Sequence, residues 1–271
     1  MSGGAAPDAP IGVFDSGIGG LTVVRELMRQ LPHERIVYFG DTARVPYGPK
    51  SPDTVRRYSG EISAFLREQG VKAIVIACNT ATAHALHALR AQLPIPVIGV
   101  VEPGARAAVR ASRGGPVGVI GTAGTIRSGA YERAIRELAP TAHVVARACP
   151  LFVPLVEEGW LDGDAARLIA REYLAPFAAD GVDTLVLGCT HYPLLKRLIG
   201  ETIGREVRLI DSAEETAAET ARVLSERGLR AAAGDAPAHR FIASDDPQQF
   251  LELGQRFLGA AIERVETHTL G

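Results

Sequence analysis

At 271 residues, with 46% hydrophobic and 22% charged side chains, the chain can bury one large core or two of ordinary size. Its 29 basic and 31 acidic residues leave a formal net charge of −2, so no basic field exists to grip a phosphate backbone, and no direct nucleic-acid partner is expected. No apolar run reaches the length of a membrane span, so no membrane partner is expected, and three cysteines are too few for a disulfide framework.

Residues 1–10, MSGGAAPDAP, have neither the charged nor the apolar region of a secretory signal and read as a flexible lead-in. With no export signal, the expected setting is the reducing cytoplasm, where thiols persist. From there on, short β-branched runs alternate with helix-length amphipathic stretches. Residues 11–14, 36–39, 73–77 and 97–101 read as strands, followed by 117–120, 144–146, 184–187 and 207–210. Continuous apolar strands alternating with helices predict an α/β fold with mainly parallel, helix-covered sheets. Ser51-Pro52 has the form of a helix start, and Gly70 and Gly181 stand where helices end.

An internal repeat divides the chain. GVKAIVIACNTATAHALHALR, from Gly70, resembles GVDTLVLGCTHYPLLKRLIG, from Gly181, at an offset of 111 residues, and the same offset places 97–101 on 208–212. IGVFDSG at Ile11 echoes VGVIGTAG at Val117 with an offset of 106. Repeats this long are no solenoid. They predict two similar domains related by a pseudo-two-fold axis: 11–101 plus 212–271, and 102–211. The segment RFIAS from Arg240 and a helix from Pro247 are assigned to the first.

Cys78 and Cys189 occupy the same place in the two repeats, at the end of a buried strand and just before a helix. Ligands of open α/β sheets gather at that edge, and a helix N-terminus favours a thiolate. One such cysteine alone is as readily a small buried hydrophobe. Two at equivalent positions, each followed by polar residues (Asn79-Thr80 and Thr190-His191), argue for chemistry. Asp15 and Ser16 end the first strand in FDSGIGG, which matches neither GxGxxG nor GxxxxGK[ST]. Asp15 reads as a site residue in competition with a plain helix cap. GTAGT supplies Thr122 and Thr125, VPYG supplies Tyr47 and Gly48, and PLVEEG supplies Glu157 and Glu158. Cys149, without polar companions, reads as structural.

Rival chemistries fit less well. Cys189-x-His191 has no CxxC or HExxH companion, so no metal is expected. A Cys-His hydrolase leaves the second cysteine unexplained. None of the three lysines, Lys50, Lys72 and Lys196, ends a strand as a pyridoxal-phosphate Schiff base would require. Two thiols, by contrast, suit inversion of a C–H stereocentre, one removing a proton from one face while the other returns it on the opposite face. A neighbouring carboxylate or imidazole can take up each thiol proton, Asp15 for Cys78 and Glu158 or His191 for Cys189.

FDSGIGGLTV, YFGDTARVPYG, ACNTATA, CPLFVPLVEEG and LGCTHYPLL resemble, in order and across nearly the whole chain, the motifs of bacterial glutamate racemases. That resemblance implies two flavodoxin-like domains with the site in the cleft between them, no cofactor, and interconversion of L- and D-glutamate for peptidoglycan. By motif, Cys78 acts on the D-substrate and Cys189 on the L-substrate, and Glu158 is preferred to Glu157 as the assisting acid. Asp15-Ser16, Tyr47-Gly48, Asn79-Thr80 and Thr190-His191 bind substrate, joined by Thr122 and Thr125. The alternatives are an aspartate or broad-specificity racemase, and a non-catalytic binding protein on the same fold. THYP after Cys189 resembles the glutamate branch. A homodimer stays open, and the residues carry no signal for or against the effect on DNA gyrase reported for some family members.

Overall fold

The computed structural model describes residues 6–270. Two compact units divide the chain, one made of residues up to 100 with those from 213 onward, the other of residues 101–212.

The first unit begins with β1 (Ile11–Asp15), α1 (Leu21–Gln30), β2 (Ile36–Gly40), α2 (Pro52–Glu68), β3 (Ala73–Ile76), α3 (Asn79–Gln92) and β4 (Val97–Gly99). The second contains α4 (Val101–Ala111), β5 (Val117–Gly121), α5 (Ala123–Arg127), α6 (Ala130–Leu138), β6 (Val144–Ala148), α7 (Phe152–Glu157), α8 (Asp164–Ala179), β7 (Thr184–Gly188), α9 (Lys196–Ile203) and β8 (Arg208–Asp211). The chain re-enters the first unit along α10 (Ser212–Glu226), then forms β9 (Arg240–Ala243), α11 (Pro247–Leu258) and β10 (Glu266–Thr267).

Every strand pairing is parallel, in the order β10-β9-β2-β1-β3-β4 in one sheet and β6-β5-β7-β8 in the other. The apolar runs explain this: β1, β2, β3, β5 and β7 are buried along their whole length, as strands covered on both faces must be. Phe14, Phe39, Ile62, Ile76 and Leu86 belong to the core of the first unit, and Val119, Tyr131, Ile135 and Val186 to that of the second. Ser51 caps α2 by accepting the Thr54 N–H at 3.3 Å, and Gly70 beyond its end takes φ +71°, a conformation open to glycine at little cost.

Strand register gives the repeat a geometric meaning. Ile11 lies opposite Ala73 in the first sheet and Val117 opposite Thr184 in the second, so the offsets of 106 and 111 carry one pairing onto the other. At the next strand the match needs one residue more, since Ile74 faces Val97 while Leu185 faces Leu209. One expectation is corrected there. The strand expected at 97–101 stops at Gly99, and Val101 already opens α4. The segment at Arg240 does extend the first sheet, through β2, whereas two-residue β10 is too short to show a period in sequence.

The lead-in is tied down within its described part. Arg35 donates to the Asp8 carbonyl, and Lys72 donates to that of Pro7 while pairing with Glu34 in the interior. Glu34 also accepts the Ala231 N–H at 2.9 Å. Residues 1–5, the rest of the expected flexible segment, lie outside the described residues.

Candidate active site

The geometry comes as two half-sites, one per unit. In the first, β1 and β3 end side by side, with Phe14 opposite Ile76. Asp15 is fully buried, and its Oδ1 accepts the Gly17 N–H at 3.0 Å. It is not the cap of α1, whose N-terminus at Gly20 has no side-chain cap. Gly20 is required by space: a Cβ there would stand 2.5 Å from that of Asp15 and 2.7 Å from the Tyr38 hydroxyl. Tyr38 in turn donates to the Gly17 carbonyl at 2.8 Å, so the FDSGIGG turn is clamped around the carboxylate.

Cys78 is the N-cap of α3, and its Sγ accepts the Ala81 N–H at 3.4 Å. A sulfur accepting an amide at the start of a 14-residue helix is placed to carry negative charge, because the helix dipole and the first-turn N–H groups both favour it. The Ser16 hydroxyl lies 3.8 Å from the same sulfur. Asn79 and Thr80, the first residues of α3, are buried beside it.

In the second half-site Cys189 follows β7, but no α-helix starts there. A 3-10 turn, Tyr192–Leu195, intervenes before α9, which corrects the expectation of a helix start like that at Cys78. An imidazole is present instead. His191 Nδ1 is 3.9 Å from Cys189 Sγ, and its Nε2 is 3.0 Å from Glu157 Oε1. Burial opposes protonation of His191, but the cysteine sulfur and then the carboxylate outweigh it and raise the ring to about 10. Sulfur, imidazole and carboxylate thus form a chain along which a proton can be held or moved.

The acid in that chain is Glu157, not the Glu158 preferred by motif. Glu157 is the last residue of α7, whereas Glu158 points into solvent just beyond it. Neighbouring positions at the end of a six-residue helix differ by a rotation of about 100°, and sequence carries no signal for which one faces inward. The two halves also differ in where the acid comes from. The register places Gly121 where the first repeat has Asp15, and Thr122 where it has Ser16. Thr122 Oγ1 accepts the Thr125 N–H at 3.2 Å and lies 3.1 Å from the Thr125 hydroxyl. Thr190 is buried between Cys189 and His191.

The Tyr47 hydroxyl is engaged within the protein. The ring is buried and the hydroxyl donates to Asp41, so a substrate contact at Tyr47-Gly48 would have to come from the main chain. Burial first, and then the Asp41 carboxylate, hold this phenol far above its usual range and keep it a donor; the Cys78 sulfur is close enough to add to the effect. Cys149 behaves as a structural residue: burial pushes its thiol up to about 12, and its carbonyl accepts the Tyr192 hydroxyl at 2.8 Å. Two residues carried no sequence signal, Asp41 and Tyr131. The Tyr131 ring would lie 3.0 Å from a Cβ at Gly188, directly before Cys189. Among the described residues, no group of three or more His, Cys, Asp or Glu could hold a metal ion. No described helix is long and apolar enough to cross a membrane.

Comparison with known proteins sets these half-sites in context. The sequence profile of Asp/Glu/hydantoin racemases matches residues 11–220. The glutamate racemase of Geobacter metallireducens is 58% identical over 259 residues, covering 96% of each chain. A solved glutamate racemase from Bacillus anthracis is similar with a TM-score of 0.92 and 43% identity over 97% of both chains. The Francisella tularensis glutamate racemase, solved in complex with D-glutamate, gives 0.91 and 40%, covering 97% of this chain and 98% of that one. The chain therefore belongs to the Asp/Glu/hydantoin racemase family, as an isomerase of its glutamate racemase branch.

Proposed function

We propose that the protein interconverts L- and D-glutamate by a two-base proton transfer without an organic cofactor, with Cys78 and Cys189 as the two bases. The observation that carries this reading is the register-equivalent placement of the two cysteines, each one residue or two beyond the third strand of its unit. In the forward direction one sulfur, as thiolate, takes the α-proton while the other, as thiol, delivers a proton to the opposite face of the resulting carbanion. The reverse direction exchanges their states. Cys189, acting on L-glutamate, passes its charge and proton to and from the His191–Glu157 pair. Cys78, acting on D-glutamate, relies on the α3 N-terminus, with Asp15 as the nearby carboxyl group.

Asp15, Ser16, the main chain of Tyr47-Gly48, Asn79, Thr80, Thr122, Thr125, Thr190 and His191 form the proposed substrate-binding set. Hydroxyls, amide groups and helix-start N–H groups supply the donors that a carbanion next to a carboxylate needs. The similarity to glutamate racemases supports glutamate as substrate, and one of these relatives was solved in complex with D-glutamate. D-Glutamate made this way would feed peptidoglycan synthesis, and reduced thiols suit a cytoplasmic setting.

The test is incubation with L- or D-glutamate in D₂O, following inversion by circular dichroism and α-deuteration by NMR. Inversion with solvent deuterium incorporation is expected, and Cys78→Ala or Cys189→Ala should each abolish it. Full racemisation by either single variant refutes the two-base assignment, and a requirement for pyridoxal phosphate refutes the cofactor-free one. Faster turnover of aspartate would place the protein on a different specificity branch, and inertness to both amino acids would make it a binding protein.

A further inference from the structure

Asp41 is the first residue after β2, and its carboxylate is fully buried. Removing a charge from water is costly unless the site compensates it, so a buried acid on a loop needs a reason. Here it is met from two separate segments of the chain. Arg44 Nε donates to Oδ2 at 2.8 Å and to Oδ1 at 3.0 Å, and the Tyr47 hydroxyl donates to Oδ2. From beyond β9, the Ser244 hydroxyl donates to Oδ1 at 3.0 Å.

Each of these neighbours is itself fixed. The Arg44 guanidinium lies 4.0 Å from the centre of the Tyr58 ring on α2 and pairs with Glu61 on the same helix. Ser244 Oγ accepts the Ala43 N–H at 2.9 Å, while Thr42 donates to the Asp245 carbonyl at 2.7 Å and accepts its N–H at 2.8 Å. The backbone N–H of Asp41 donates to the Asp15 carbonyl at 3.1 Å. The loop that follows β2 is therefore stitched on one side to the C-terminal segment and on the other to the strand end bearing Asp15. Its central knot is one carboxylate.

We infer that Asp41 is a positioning residue: by holding Arg44, Tyr47 and Ser244 together on a loop anchored to the end of β1, it fixes the Tyr47-Gly48 main chain and thereby sets substrate affinity. This rests on the proposed substrate-binding role of Tyr47-Gly48. A main-chain contact to a non-reacting group of the substrate is the same in the ground and transition states. Loosening it raises KM and leaves kcat nearly unchanged.

The test uses the full-length enzyme with Asp41→Asn and with Ser244→Ala, a milder variant that keeps the carboxylate. Both are assayed with each enantiomer of glutamate, alongside hydrogen–deuterium exchange of segment 41–50. Asp41→Asn should raise KM roughly ten-fold for both enantiomers, with kcat within about three-fold of the parent, and Ser244→Ala should raise KM roughly three-fold. Exchange should accelerate in the same order. A fall in kcat at unchanged KM would mean that only the active fraction has dropped, which overturns the inference, as would unaltered exchange in Asp41→Asn. Faster exchange at unchanged KM would overturn the substrate-binding assignment of Tyr47-Gly48, and the inference with it, while leaving the two-thiol chemistry standing. Should Asp41→Asn fail to fold, the KM and exchange of Ser244→Ala decide.

Discussion

Replacing Glu157 by glutamine tests the relay behind Cys189 directly, because the adjacent Glu158 provides its own control. The amide keeps the size of the side chain and removes its charge. The bond at stake is the 3.0 Å contact to His191 Nε2, of a kind worth about 1.5–3 kcal/mol when an ionised group takes part. Glu157 is 34% exposed, so solvent screening brings this to about 1–2 kcal/mol, or roughly 5- to 30-fold in rate. Two enantiomers have equal free energies in water, so kcat/KM must fall equally in both directions. Direction appears instead in the isotope effect. With α-deuterated substrate it should grow for L-glutamate, whose proposed base is Cys189, more than for D-glutamate. Circular dichroism on protiated and deuterated substrate of each hand measures both quantities. Glu158→Gln should stay within about two-fold of the parent, since its side chain is in solvent. If Glu158→Gln lost more activity than Glu157→Gln, the relay through Glu157 would be refuted.

Other perturbations probe the scaffold under the site. The folded value of His191, about 10, lies above its ordinary 6.5, so its contribution to stability is complete below about pH 6.5 and is lost as pH rises through about 10. Urea midpoints between pH 7 and 10 should therefore fall less steeply in His191→Asn than in the parent, and parallel curves would refute that protonation state. Gly20→Ala forces a Cβ against Asp15 and Tyr38, which should cost about 1–3 kcal/mol in urea unfolding and lower kcat by displacing Asp15; unchanged activity would show that the Asp15 carboxylate tolerates movement. Lys72→Met leaves the buried Glu34 with the Ala231 N–H at 2.9 Å and Arg230 at 3.8 Å, and should cost about 2–4 kcal/mol, much of it restored by Lys72→Met/Glu34→Leu. A double variant no more stable than the single one would contradict the pairing.

Much of this protein is legible before folding is considered. Apolar runs such as IGVFD and TLVLG can only be strands covered on both faces, and their alternation with amphipathic stretches dictates parallel order. The 111-residue repeat sets Cys78 and Cys189 in equivalent places from sequence alone, and the β1–β3 pairing recurs as β5–β7. What local sequence lacks is direction at element ends. Val101 continues an apolar run yet begins a helix, and Cys189 meets a 3-10 turn where the repeat suggests a helix.

The identity of the two thiols is thus a property of the sequence, while the way each is supported was decided by tertiary structure. A duplicated pattern repeats strand ends, which depend on short-range hydrophobic order. It does not repeat the groups that reach those ends from elsewhere. Cys78 caps its own helix, but beside Cys189 stands His191, whose partner Glu157 arrives from α7, 34 residues before the histidine along the chain. Asp41 acquires its part only because Ser244, 203 residues later, returns to the edge of the first sheet. Contacts closed over such separations depend on how strands and helices pack, and packing places one of two adjacent carboxylates on the imidazole and the other in water.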